Sequence, residues 1–87
     1  MDDNKLLELA AKAAGHKRRS ANWNPLEDDG DALRLAVKLK LSVWFEEREN
    51  HEWTHIVWVS PVFEPYTGDV EAATRRAIVR AAAARAA

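Results

Sequence analysis

Residues 28–40 read DDGDALRLAVKLK, and this stretch limits the fold more than any other. At 100° per residue, Ala32, Leu33, Leu35, Ala36, Val37 and Leu39 sweep an apolar arc of about 200°, leaving Asp31, Arg34 and Lys38 on the other side. A helix apolar over more than half its circumference has to be covered from more than one direction, so it is expected at the centre of the core. Its start is marked as well. Asn24-Pro25 is a turn signal, because Pro25 disfavours helix in the residue before it. Asp28 or Asp29 then serves as the cap, and Asp31 adds negative charge where the helix dipole favours it.

The covering elements are read on either side of it. Residues 3–14 predict a first helix, with Leu6, Leu9, Ala10, Ala13 and Ala14 on one face, Lys5, Glu8 and Lys12 opposite, and Gly15 at the stop position. Residues 21–24 are expected as a short edge strand. LSVWFEE at 41–47 and WTHIVWVS at 53–60 have the β-branched and aromatic composition of strands, and the residues between them close a hairpin. Leu41, Val43 and Phe45 share one face of the first strand, with Trp44 on the other. Ile56 and Trp58 likewise oppose Val57 and Val59 in the second. Both faces are apolar, which predicts a sheet covered on both sides.

PVFEPYTG at 61–68 is punctuated by Pro and Gly and is expected as a loop folding over the core like a lid. A last helix over 69–85 carries a small-residue seam of Val70, Ala73, Ala77, Ala81 and Ala84. The class is therefore α+β, in the order α-β-α-β-β-α. A single domain spans residues 1–87, with a three-stranded sheet around the hairpin and packed between helices.

Composition closes several routes. With no Cys, the chain has neither a disulfide framework nor a thiol nucleophile nor a Cys-based zinc site. Its 47% hydrophobic residues, four Trp among them, and 31% charged residues are those of a folded globule. No apolar run approaches the roughly 20 residues of a membrane span. The start, MDDNKLLELAAKAAG, lacks the basic region of a secretory signal, and a small fold without Cys fits a reducing compartment such as the bacterial cytoplasm. A formal net charge of −1 gives no global attraction to nucleic acid.

Two motifs invite metal chemistry. His51-Glu52-Trp53-Thr54-His55 spells the HExxH of zinc hydrolases, which requires a helix to set both His one turn apart. The flanking residues read as strand, on which the two His would stand about 13 Å apart, at roughly 3.3 Å per residue. Glu27-Asp28-Asp29-Gly30-Asp31 fails as a calcium loop, because counting from Gly30 puts Pro25 and Ala36 where the first and last ligands belong. Ser20, Ser42 and Ser60 lie in no nucleophile pattern, and three Gly supply no phosphate cradle. Neither catalysis nor a cofactor is expected.

Two surfaces remain. The 28–40 helix and the strand running back beside it have similar lengths, which gathers Glu27, Asp28, Asp29 and Asp31 near Glu46, Glu47, Glu49 and Glu52, with Arg48 as the local counter-charge. Such an acidic pole suits a basic protein surface. Lys17, Arg18 and Arg19, with Arg75, Arg76 and Arg80 of the last helix, form the alternative, a nucleic-acid contact.

At WNPLEDDGDALRLAVKL and GDVEAATRRAIVRAAA, and in the opening LLELAAKAAG, the chain resembles a family of small bacteriophage and prophage proteins. Among them are the phage "ABA sandwich" domains, in which helices flank a small sheet. The resemblance implies that fold and a phage setting, and carries over no catalytic residue. The functional expectation is a phage accessory protein that binds a host protein, in its sharpest form an anti-CRISPR-like inhibitor of bacterial defence. The oligomeric state is left open, a homodimer included.

Overall fold

The computed structural model describes residues 1–48 and 55–86. The elements run α1 (Asp3–Ala13), α2 (Asp29–Leu39), β1 (Trp44–Glu47), β2 (His55–Val59), β3 (Val62–Pro65) and α3 (Val70–Ala86). The class is α+β as expected, but the order among the described residues is α-α-β-β-β-α.

Both differences have local causes. Residues 21–24 form turns in place of a strand, since Asn22 N donates to Ser20 Oγ, Trp23 N to the Ser20 carbonyl and Leu26 N to Asn24 Oδ1. Short polar side chains that hold their own backbone offer it an alternative to a ladder. The expected 61–68 lid contains strand β3 instead. Its prolines bracket the strand: Pro61 sits in the two-residue connection from β2, which contains the cis Ser60–Pro61 peptide, and Pro65 ends an edge strand, where a missing N–H is tolerated.

The sheet is antiparallel in the order β1-β2-β3. Register puts Trp44, Trp58 and Phe63 in one row on one face and Phe45, Val57 and Glu64 in the next row on the other. The second face, through Val57 and Val59, joins the core with α3, which packs on β2 and β3 while α1 and α2 pack on α3. The helices thus form one layer on one face, and no described helix packs on the other.

The centre of the core is also relocated. Ala77, Val79, Ala81 and Ala82 of α3 are fully buried, and their small side chains let Leu6, Leu7, Ala10 and Ala14 approach closely from the α1 side. α2 contributes Ala32, Leu35 and Ala36 to that cluster, yet Leu33 and Val37 stay 64% and 65% exposed. Its wide apolar arc is covered on one side only. No described helix is long and apolar enough to cross a membrane.

Candidate protein-binding surface

The face of the sheet on which no described helix packs is built from alternate residues of three strands. Trp44 stacks on Trp58 with ring centroids 6.1 Å apart and planes 8° from parallel. Phe63 meets the other side of Trp58 at 5.0 Å. Two residues along β1 on the same face, Glu46 accepts a 2.7 Å hydrogen bond from Trp58 Nε1. Arg48 donates to Glu46 through Nε at 2.7 Å and lies 6.0 Å from the Trp58 ring centre, within cation–π range. The bonded Glu46 carboxylate pushes the Arg48 guanidinium further up from its ordinary pKa. Cross-strand aromatic rows hold such a face rigid. Trp44, at the edge of the sheet, remains 45% exposed.

Across β1 lies a second apolar surface. Val43 and Phe45 form one wall of a cleft of about 350 Å³ whose other walls are Ala32, Leu33 and Ala36 of α2 and Ile78 of α3. Asp29 and Glu71 stand at its edge, and Phe45 is 55% exposed. β1 overhangs here because α3 supports only β2 and β3.

The acids of the expected pole are placed as follows. Asp28 caps α2 by accepting from Asp31 N at 2.8 Å. Asp31 accepts from Asn24 N at 2.9 Å and from Arg34 at 2.7 Å, and these bonds, the Asn24 one foremost, hold its carboxyl below the ordinary range. Asp29 pairs with Arg75 at 2.6 Å, and Glu46 with Arg48 and Trp58. Glu27 and Glu47 are exposed, the latter 3.6 Å from His55 Nε2. Asp29 and Phe45 line one cleft, so the start of α2 and β1 do flank a common surface. Glu49 and Glu52 lie outside the described residues.

The cations divide in the same way. Arg75 binds Asp29 and the Leu26 carbonyl, Arg76 binds Asp3, and Arg80 binds Glu64 and the Phe63 carbonyl. Lys17, Arg18 and Arg19 instead line an open depression beside Lys12 and His16 at the end of α1, and none of the three forms an ion pair among the described residues. His51 and Glu52 of the HExxH stretch lie outside the described residues, while His55 opens strand β2. No three His, Asp or Glu among the described residues are grouped to hold a metal ion.

Sequence reasoning placed Trp44, Phe45, Leu33 and Val37 in the core. The alternation that sets Trp44 on the same face as Glu46 was the available sign that this face meets water. Compared with protein-family models, curated proteins and solved structures, the chain finds no match. Fold and surface together define a small α+β domain with an aromatic sheet face that its helices do not cover.

Proposed function

We propose that the chain is a non-catalytic accessory domain that works by binding another protein through the outer face and free edge of β1. The observation that carries this reading is the Trp44–Trp58–Phe63 row, locked by Glu46 and Arg48, with Trp44 left half in water. Rigid aromatics with an adjacent Arg are the side chains that dominate protein interfaces, because they desolvate much area for little lost rotamer freedom. Glu47, exposed on the edge strand β1 next to this face, adds a preference for basic partners. Under the phage resemblance the partner is a host protein, and a component of bacterial defence is its sharpest form.

The test is capture from bacterial lysate by the immobilised domain, compared with Trp44→Ser and Glu47→Ser variants. A partner held by the wild type, lost with Trp44→Ser and recovered as a purified 1:1 complex supports the reading. An unchanged set of captured proteins ends it. A second reading, contact with a polyanion, is favoured by the run Lys17, Arg18 and Arg19, which forms no ion pair among the described residues. It predicts a salt-sensitive shift of DNA or RNA that Arg18→Ser with Arg19→Ser abolishes.

A further inference from the structure

One side of α2 is still uncovered. Looking along its axis, Asp29, Leu33 and Val37 succeed one another at spacings of four, so they form a single stripe, and Lys40, the left-handed residue that ends the helix, lies exposed just beyond it. The two apolar members are the most exposed aliphatic side chains of the helix, and the cleft walled by Ala32, Ala36, Phe45 and Ile78 runs alongside them. Such a stripe is acidic at one end, basic at the other and apolar between.

We propose that this stripe is the contact between two copies of the chain, crossing as antiparallel α2 helices about a two-fold axis at the level of Leu35. The numbering of the stripe supplies the reason. The midpoint of Leu33 and Val37 is Leu35, and the midpoint of Asp29 and Lys40 falls half a residue before it. A two-fold axis there brings Leu33 of one copy onto Val37 of the other, and in the same motion brings Asp29 onto Lys40, at both ends. The Asp29 side chain is 72% exposed even with Arg75 bound to its Oδ1, so it can receive a second cation. Glu71, exposed at the same end of the cleft, adds to the attraction for Lys40. An apolar–basic segment of an unrelated protein would satisfy the acidic end alone. A second copy satisfies both ends.

The exposed parts of Leu33, Val37 and Phe45 together amount to roughly 350 Å², the size of the largest apolar patch on an ordinary monomer, which is often functional. It is well short of the roughly 800 Å² per partner of a standard interface, which places the dimer in the weak, concentration-dependent class. The contact uses the face of β1 opposite the Trp44 row, so it stands independently of the partner-binding surface proposed above.

Sedimentation equilibrium of the full chain, from low micromolar to several hundred micromolar, tests it. The wild type is expected to pass from monomer to dimer, and Leu33→Asp or Val37→Asp to remain monomeric. Both side chains lie outside the core, so circular dichroism and Trp fluorescence should report unchanged folding. Lys40→Glu should loosen the dimer by about five- to tenfold, two rim pairs being replaced by repulsion, and should reverse its salt dependence, since added salt then screens that repulsion. A wild type that stays monomeric throughout overturns the proposal, as does a dimer indifferent to Leu33→Asp. A monomeric wild type whose lysate partners depend on Leu33 would assign the stripe to a different protein, which also overturns it. Loss of lysate capture with Trp44→Ser alone bears on the function reading and leaves the dimer standing.

Discussion

Arg75 decides whether the Arg-rich last helix is a binding element or a structural one. Its Nε donates to the Leu26 carbonyl at 2.9 Å and its Nη1 to Asp29 Oδ1 at 2.6 Å, across 49 and 46 residues of chain. It therefore ties α3 to the turn that launches α2, next to the fully buried Pro25. The two bonds differ in environment. The Arg75 side chain is only 18% exposed, whereas Asp29 is largely in water. A hydrogen bond from a charged donor to a half-buried carbonyl contributes roughly 1.5–3 kcal/mol, and removing the donor strands the acceptor. The ion pair, with one partner solvated, contributes about 0.2–1 kcal/mol. Arg75→Ala should thus cost about 2–3 kcal/mol and Asp29→Ala below about 1 kcal/mol. Urea unfolding followed by Trp fluorescence measures both, and with a slope near 1 kcal/mol per molar for so small a chain, Arg75→Ala should lower the midpoint by about 2 M. Arg75→Lys should fall between, since a single ammonium cannot fork to both acceptors. The reasoning fails if Arg75→Ala lies within about 0.5 kcal/mol of wild type, the range of ordinary surface changes. It fails equally if Asp29→Ala costs as much as Arg75→Ala, for then the ion pair and not the carbonyl bond carries the effect.

Asp31 gives a pH signature. Its folded pKa lies below its ordinary value of 3.8, so its contribution is fully present above that value and lost as pH falls through the folded one. Asp31→Asn should therefore flatten the acid limb of a stability–pH curve below about pH 5, and cost about 1 kcal/mol at neutral pH through the weakened bonds to Asn24 and Arg34. Calorimetry at stepped pH checks it, and parallel curves for the two proteins would contradict it. The alanine seam predicts an asymmetry: Ala81→Leu, at a fully buried site, should destabilise by roughly 1–3 kcal/mol through overpacking, while Ala84→Leu, exposed one turn from the end, should stay within about 0.5 kcal/mol. Thermal melts separate them, and equal melting temperatures would refute close packing along α3.

What the sequence revealed of the fold is what local chemistry encodes. Asp2 and Asp28 cap α1 and α2 by accepting from the backbone N–H three residues on, Gly15 takes a positive φ after α1, and the strand faces follow simple alternation. Lys40 shows where this runs out. It ends α2 at φ 54°, a conformation usually left to Gly or Asn, and no residue type there announced the stop. β3 was hidden for the opposite reason. Pro61 and Pro65 read as loop punctuation, and only the neighbouring strand β2 turns the four residues Val62–Pro65 into an edge strand.

The site was legible in residue type and illegible in partnership. The acids and arginines singled out from the sequence are real clusters along the chain, yet Asp29 meets Arg75, Asp3 meets Arg76 and Glu64 meets Arg80, pairings that depend on how α3 lies across the rest. Those contacts tie the arginines of α3 to its neighbours, while Trp44, Phe45, Leu33 and Val37 remain exposed. The same fold explains why α2 misled. Its 200° arc called for two covers, and α3 supplies one, through Ala32, Leu35 and Ala36. The remaining third of the arc is Leu33 and Val37, with Asp29 six residues before Leu35 and Lys40 five after it. A helix at the periphery of a monomer keeps such residues in water at a cost that a polar substitution would remove; a helix at the middle of a two-fold pair does not. The expectation that this helix sits at the centre of the core thus fails for the chain itself, where α3 takes that place.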